Sequence, residues 1–253
     1  MPESLPARKP FFKTVFGIIV LIILILVGII LLVFGGFFGY YLWAQKFGSS
    51  EVQKELTERF TPSFSQAPGL NSSRSSQSNK DITPFIRTHN PTLGTEQASV
   101  TIVAFIDFEC PYCQRSYPIF EQVIQKYGPA VRVVFKHFPI PAIHANSMGA
   151  AIGGTCAHDQ QKFWPYYHKL FTEQNVTPEN ILSLGQRLNI DNTKFTNCLE
   201  QETFQKNVLE DMQDGISLGV QGTPTYFINQ LKLEGVPDAK KWDSIILGEL
   251  QQK

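Results

Sequence analysis

The sequence lacks an excess of charge of either sign, an internal repeat and a phosphate-binding glycine pattern. Among its 253 residues, 22 are Lys or Arg and 22 are Asp or Glu, so the formal net charge is zero. The overall charge therefore gives no indication of a nucleic-acid partner or of a strongly acidic partner. A chain of this length can form one or two domains with a sizeable core, so its size alone does not require disulfides.

Cysteine is also scarce, and the four cysteines include a single short-spaced pair, Cys110 and Cys113. Structural zinc sites usually take two short-spaced ligand pairs, so a zinc site built on this pair is the weaker alternative. An even number of cysteines favours disulfide pairing if the compartment is oxidising. The four cysteines are Cys110, Cys113, Cys156 and Cys198, and the histidines that could add zinc ligands are His89, His137, His144, His158 and His168.

The N-terminus indicates the compartment. Residues 15–43 contain no charged side chain and are rich in Ile, Leu, Val and Phe. At about 1.5 Å per helical residue, this run exceeds a hydrocarbon core of about 30 Å. Arg8, Lys9 and Lys13 precede it, which predicts a single-pass signal anchor in the cell membrane, with a cytoplasmic N-terminus and an extracytoplasmic remainder. A cleaved signal peptide is the alternative, although no Ala-x-Ala pattern follows the run.

The composition changes again after the apolar run. Residues 61–80 are rich in Ser, Asn, Gln, Pro and Gly, and such a segment buries too little apolar surface to offset the cost of ordering. We therefore predict a cytoplasmic stub and anchor over residues 1–45, a flexible polar linker over 46–83 and a folded domain over 84–253. A short helix over residues 50–60 is a further expectation.

The folded part alternates strand and helix patterns. A strand over residues 98–108, a helix over 114–127 and a strand over 130–138 predict a right-handed parallel crossover. Helical patterns then fill an insertion over about residues 142–219. The remaining predicted elements are strands over residues 225–229 and 231–233 and a helix over 238–250.

The sequence Cys110-Pro111-Tyr112-Cys113 lies between the first strand and the first helix. In that setting the first sulfur lies at a helix N-terminus, where unpaired N–H groups and the helix dipole stabilise a thiolate. A thiolate is the species that exchanges disulfides. Zinc knuckles and structural bridges use the same spacing, so the pair alone does not decide the chemistry.

Two motifs together resemble one family. Residues 105–113 (Phe-Ile-Asp-Phe-Glu-Cys-Pro-Tyr-Cys), the helical insertion and residues 222–227 (Gly-Thr-Pro-Thr-Tyr-Phe) are similar to the DsbA-like thiol-disulfide oxidoreductases of the thioredoxin superfamily, and to their membrane-anchored extracytoplasmic branch. The resemblance implies an α/β thioredoxin-like fold with an inserted helical subdomain, preceded by one transmembrane helix. It also implies that Cys110 is the exposed nucleophile and Cys113 the buried resolving thiol.

The same resemblance implies that Pro224 is a cis-proline packed beside the active-site disulfide. A cis bond at Thr223-Pro224, directly before a strand, would present Thr223 backbone groups for an extended peptide to pair with. An ordinary trans-proline in a turn remains the alternative. The active-site neighbours are then Pro111, Tyr112, Thr223 and Pro224.

The activity implied by the resemblance is the introduction of disulfides into exported polypeptides. Its expected partners are reduced or unfolded exported polypeptides, and a quinone-linked DsbB-like or vitamin K epoxide reductase-like membrane protein for reoxidation. No organic cofactor and no metal is expected. Two alternatives stay open: a disulfide reductase or isomerase on the same fold, and a non-catalytic tethered peptide-binding or chaperone module.

Two positions depart from the family pattern. Tyr112 replaces the histidine of the strongly oxidising DsbA version, and Ala104 stands where related proteins commonly have a buried acidic residue. Asp107 and Glu109 lie nearer the cysteines, and a negative charge there would raise the pKa of Cys110. The direction of exchange therefore stays open.

Cys156 and Cys198 fall on separate predicted helices of the insertion. A disulfide between them would close a loop of about 40 residues and stabilise the fold by about 4 kcal/mol. We interpret them as a structural disulfide, with two free thiols or a second redox couple as the alternatives.

Overall fold

The computed structural model describes residues 22–23, 27–28, 35, 74–77 and 80–251. The chain divides into two units, Met1–Glu58 and Arg59–Lys253, and the fold below is that of the second. No helix within the described residues is long and apolar enough to cross a membrane. The anchor predicted over residues 15–43 lies largely outside the described residues, and the helix predicted over 50–60 lies entirely outside them.

The described part of the second unit is built on a sheet of six strands in the order β1-β6-β5-β3-β4-β2. β3 and β4 are parallel, and the other neighbouring strands are antiparallel. This confirms the parallel strand–helix–strand unit that was predicted, and the thioredoxin-like α/β class. The strands are β1 (Arg74–Gln77), β2 (Thr92–Leu93), β3 (Val100–Ile106), β4 (Val131–His137), β5 (Thr225–Ile228) and β6 (Leu231–Glu234).

The central strands are buried on both faces. Six of the seven residues of β3 are buried, which explains its nearly continuous apolar sequence. Ala104 and Tyr226 are register partners and share one face, whereas Phe105 and Phe227 lie on the other, because side chains alternate along a strand. This alternation decides which helices cover each face.

Seven α-helices surround the sheet in the described part of the chain. On one face, Tyr226 packs against Trp242 and Phe120, with ring centroids 5.0 Å apart in each pair. On the other face, the helix that carries Gly215 packs closely against Phe138, because a Cβ at Gly215 would lie 2.6 Å from the Phe138 side chain. The helices are α1 (Pro111–Tyr127), α2 (Ser147–Asp159), α3 (Phe163–Glu173), α4 (Pro178–Arg187), α5 (Asn192–Glu200), α6 (Gln205–Ser217) and α7 (Ala239–Gln251).

The predicted insertion is therefore present as helices α2 to α6. Capping residues explain where helices α4 and α5 begin. The Thr177 side chain accepts a hydrogen bond from Asn180 N–H, and the Asp191 side chain accepts one from Lys194 N–H. α3 packs beside α1 through Tyr167 and Tyr117, whose ring centroids are 5.6 Å apart.

A buried ion cluster joins α6 to β4. The Lys136 side chain is 0% exposed, and its Nζ lies 2.8 Å from Asp211 Oδ1 and 2.6 Å from Asp214 Oδ2. Arg87 donates two further hydrogen bonds to Asp214, and Asn90 donates one to Asp211. A buried charge is tolerated only when it is paired in this way, so the cluster ties the segment before β2 to the sheet and α6.

One part of the predicted linker is ordered. β1, at residues 74–77, pairs antiparallel with β6 and extends the sheet at its edge, so the prediction of a flexible linker is wrong for these residues. Edge pairing uses backbone N–H and C=O groups, and β1 needs no apolar side chain to form. A prediction from composition alone therefore misses it. Residues 46–73 and 78–79 of the predicted linker lie outside the described residues.

Candidate active site

Cys110 lies at the junction between β3 and α1. It is the N-cap residue of α1, and Pro111 follows in the first turn. The Cys110 N–H donates to the Asp107 carbonyl oxygen at 3.2 Å, and the Cys110 carbonyl oxygen accepts from Gln114 N–H at 3.0 Å. Proline fits there because the first N–H groups of a helix have no partner within it. Cys110 is thus held where the helix terminus stabilises a thiolate.

Both thiols are free and both are buried. Cys110 is 0% exposed and Cys113 is 2% exposed. The expectation that Cys110 is exposed is therefore wrong. The segment before β5 lies against the sulfur, and the Cys110 Sγ–H donates to the Thr223 carbonyl oxygen at 3.3 Å. A substrate thiolate reaches Cys110 only after a local displacement of the atoms that cover it.

The Thr223-Pro224 peptide bond is cis, as the resemblance implied. The turn around it is held by two hydrogen bonds, from Thr225 Oγ1 to the Gly222 carbonyl oxygen at 2.7 Å and from Gly235 N–H to the Pro224 carbonyl oxygen at 3.0 Å. The Thr223 hydroxyl is buried and has no hydrogen-bond partner in the described part of the chain. The structure thus brings Thr223 and Pro224 to the cysteine pair.

The pKa values of the two cysteines are shifted in opposite directions. A hydrogen bond from Cys113 lowers the pKa of Cys110 to about 7 and outweighs burial, which raises it. The Thr223 side chain acts in the same direction as Cys113, and the charge of Asp107 raises this pKa. Burial, followed by the hydrogen bond to Cys110, raises the pKa of Cys113 well above its usual value. Cys110 therefore ionises before Cys113 and has the lower pKa that a nucleophilic thiol needs.

Asp107 is a buried carboxylate three residues before Cys110. Its Oδ1 accepts from Glu109 N–H at 2.9 Å, and its Oδ2 accepts from Ile140 N–H at 3.0 Å. His144 Nδ1 lies 2.7 Å from the same Oδ2. Ala104 lies fully buried inside β3 and provides no carboxylate, whereas Asp107 provides a buried one close to the cysteines.

A second carboxylate, that of Glu109, also connects the active-site turn to the segment between β4 and α2. Glu109 accepts from Asn146 N–H at 2.7 Å and from Asn146 Nδ2 at 3.2 Å. The turn that carries Cys110 is therefore bound to the segment between β4 and α2 at two points. Neither contact is visible in the sequence, because each joins residues 37 positions apart.

Tyr112 occupies the second position between the two cysteines and is half-buried. The guanidinium of Arg115 lies 4.4 Å above the centre of its ring. This is a cation–π contact at the surface beside the cysteine pair. The Arg115 cation therefore lies beside Tyr112, the residue that stands in place of the family's histidine.

Other polar residues near α1 were not predicted. Burial raises the pKa of Glu121 to about 7, and its Oε1 is buried without a partner among the described residues. Tyr117 OH lies 3.1 Å from His168 Nδ1, and Ser116 Oγ lies 2.8 Å from Tyr226 OH. The spacing of Tyr117 and Glu121 on one helix face was the only available signal.

The pKa values of His137 and His144 are shifted in opposite directions. Burial lowers the pKa of His137 to about 4, so His137 is neutral near pH 7 and exerts no ionic effect there. Both of its ring nitrogens are buried without a partner in the described part of the chain. Of these two histidines, His144 is the one placed to bring a positive charge to the active-site turn.

Cys156 and Cys198 are bonded to each other, with their Cα atoms 6.0 Å apart. The disulfide joins α2 to α5 within the insertion. Among the residues that the structure describes, no group of three or more His, Cys, Asp or Glu side chains is arranged to hold a metal ion.

Comparisons with known proteins agree with this geometry. The thioredoxin family model matches residues 87–247. The solved structure of BdbD from Bacillus subtilis is 25% identical, with a TM-score of 0.60 over 72% of this chain and 100% of that chain. A thioredoxin-like oxidoreductase from Silicibacter pomeroyi is 21% identical, with a TM-score of 0.61 over 69% of this chain and 99% of that one. The thiol-disulfide exchange protein alpha-DsbA2 from Wolbachia pipientis is 22% identical, with a TM-score of 0.59 over 66% of this chain and 92% of its own.

Curated relatives match a shorter part of the chain. The Na(+)/H(+) antiporter NhaA 3 of Salinispora tropica is 31% identical over 143 residues, which are 56% of this chain and 22% of the antiporter. The chain thus spans less than a quarter of the length of the curated relatives it matches. The family model covers more than half of the chain, which leads to one conclusion: the chain belongs to the thioredoxin family, with a DsbA-like fold.

Proposed function

We propose that this protein introduces disulfide bonds into exported polypeptides through the Cys110–Cys113 pair. The observation that carries the proposal is the difference in acid strength between the two thiols, since the pKa of Cys110 is lowered to about 7 and that of Cys113 is raised. Stabilising the Cys110 thiolate stabilises the reduced pair. A stable reduced form makes the disulfide a stronger oxidant.

The exchange starts from the oxidised pair. A substrate thiolate attacks Cys110 Sγ, a substrate–Cys110 disulfide forms, and the Cys110–Cys113 bond breaks. Cys113 leaves and takes up a proton, which its raised pKa favours. A second substrate thiolate then attacks the substrate sulfur of the mixed disulfide and expels Cys110 as a thiolate. Two electrons pass from the substrate to the protein, and both thiols are then free, as they are in this structure.

The Thr223 carbonyl oxygen marks where the substrate chain would lie. It already accepts a hydrogen bond from the Cys110 thiol at 3.3 Å. An extended peptide that displaces this contact could pair with the backbone before β5 and bring its own sulfur to Cys110. The proposed substrates are therefore reduced or unfolded polypeptides that can adopt an extended conformation at the site.

Repeated turnover requires an electron acceptor. We propose a quinone-linked membrane protein, either DsbB-like or vitamin K epoxide reductase-like, that reoxidises the reduced pair. This agrees with a single-pass anchor over residues 15–43 and an extracytoplasmic catalytic domain, which the apolar N-terminal run supports. The bonded Cys156–Cys198 pair supports the same placement, because such bonds persist in oxidising compartments.

A reductase or isomerase on the same fold is the second candidate. One observation favours it: the charge of Asp107 raises the pKa of Cys110 and so opposes the thiolate. Tyr112 adds no ionisable imidazole to offset that charge. The hydrogen bond from Cys113 is the larger effect on this pKa, and we therefore favour the oxidase.

The test uses the oxidised protein and a reduced model peptide with two cysteines. The wild type should form the peptide disulfide stoichiometrically, and Cys110→Ser should form none. The matched variant Cys113→Ser keeps the nucleophile and should accumulate a mixed disulfide with an aromatic disulfide reagent. Peptide oxidation by Cys110→Ser at the wild-type rate would refute the assignment.

A further inference from the structure

The Asp107–His144 pair sits directly behind the active-site turn. Asp107 is 0% exposed and His144 is 11% exposed at their side chains, with 2.7 Å between Oδ2 and Nδ1. The Asp107 backbone carbonyl oxygen accepts the Cys110 N–H at 3.2 Å, so the carboxylate and the reacting cysteine belong to one short turn. A buried negative charge therefore lies beside the sulfur that must become negative.

That arrangement is unfavourable unless the carboxylate is balanced. Like charges in a low-dielectric site oppose each other, and the charge of Asp107 raises the pKa of Cys110. The backbone groups of Glu109 and Ile140 bind Asp107 without neutralising it. His144 is the cationic partner that the structure gives to this carboxylate.

We propose that His144, through its ion pair with Asp107, is a positioning residue that sustains the Cys110 thiolate in place of the imidazole absent at Tyr112. Protonated His144 cancels the Asp107 charge that opposes ionisation of Cys110. Neutral His144 still donates a hydrogen bond to Asp107, but it leaves that charge uncompensated. The inference rests on the proposed role of Cys110 as the reacting thiol.

The groups around His144 support this direction. Burial lowers the pKa of His144, but the hydrogen bond to Asp107 and the charges of Asp107, Cys110 and Glu109 outweigh burial and raise it. Because such coupling is reciprocal, an imidazolium that is stabilised by the Cys110 thiolate stabilises that thiolate equally. The charged and titratable groups that face the pair are thus Asp107, Glu109, Cys110 and Cys113.

A coupled pair titrates in a recognisable way. Each proton released by one partner makes release by the other harder, so the Cys110 curve spreads over a wider pH range than a single group gives. The experiment follows thiolate absorbance near 240 nm in the reduced full-length protein, together with the alkylation rate of Cys110, from pH 4 to pH 10.

The test variant is His144→Asn, because the Asn amide can replace the Nδ1–H donor to Asp107 without a positive charge. We expect a single-site titration with a higher midpoint and a thiolate fraction at pH 6 about 3–10-fold below that of the wild type. The control is His158→Asn, because the ionisable neighbours of His158 are His89, His137 and Asp159, and none of them acts on the pKa of Cys110. It should leave the curve unchanged.

A second variant guards against a purely structural effect. In an Asp107→Asn background the charge to be balanced is gone and only the smaller direct attraction between His144 and Cys110 is left, so adding His144→Asn should change the thiolate fraction by about twofold at most. A wild-type titration curve in His144→Asn would overturn the inference, and so would an equal effect of His144→Asn in both backgrounds. Failure of the proposed function is distinct, since Cys110 would then not react with disulfides in the wild type either.

Discussion

Removing the Cys113 thiol should raise the pKa of Cys110 substantially. The hydrogen bond from Cys113 is the largest influence that lowers this pKa to about 7, and it acts against burial. A hydrogen bond to a charged group contributes about 1.5–3 kcal/mol, and one pKa unit corresponds to about 1.36 kcal/mol. Cys113→Ala should therefore shift the Cys110 midpoint upward by about 1–2 units.

The consequence is measurable at neutral pH. About half of Cys110 is ionised near pH 7 in the wild type, given a pKa of about 7. The variant should retain about 1–10% thiolate, with a matching fall in the alkylation rate at that pH. The hydroxyl of Cys113→Ser can still donate, so this variant should lie between the two. A midpoint near 7 in Cys113→Ala would refute the reasoning, because the hydrogen bond from Cys113 would then not be what lowers the pKa of Cys110.

The remaining predictions concern stability. Lys136→Ala should lower the free energy of unfolding in urea by about 3–5 kcal/mol, because the buried Asp211 carboxylate loses its cation; a loss below about 1 kcal/mol would contradict the role of the cluster. Replacing both Cys156 and Cys198 by Ser opens a loop with a sequence separation of 42 and should cost about 4 kcal/mol while leaving Cys110 alkylation unchanged; altered alkylation would argue against a purely structural disulfide. The pKa of His137 falls from 6.5 to about 4 on folding, so the unfolded state binds more protons between these values and stability falls as the pH drops through this window. From pH 7 to pH 4 the wild type should lose about 3 kcal/mol more than His137→Leu in urea titrations, and equal losses would show that His137 does not titrate on unfolding.

Much of the fold followed from local patterns. β3 is a continuous apolar run, and α1 begins at Pro111 directly after the Cys110 cap, so strand, active-site turn and helix follow from local sequence. The helices of the insertion follow from periodicity and from capping residues such as Thr177. The cysteine pair and the segment around Pro224 are separated by more than 100 residues, and only the resemblance to a family brought them together.

The features that the sequence could not predict depend on contacts between distant residues. β1 forms through backbone pairing at a sheet edge, so its polar side chains gave no signal. The burial of Cys110 depends on how closely the Thr223 carbonyl oxygen approaches it. The pairing of Asp107 with His144 joins two turns, and neither residue has a neighbour in sequence that would indicate the other.

The central claim is that the Cys110–Cys113 pair oxidises its substrates. The most direct measurement is the reduction potential of this pair in the full-length protein, by equilibration with glutathione buffers. We expect a value well above that of thioredoxin, at about −200 mV or higher, because the Cys110 thiolate stabilises the reduced form. A value at or below about −270 mV would contradict it and would favour a reductase.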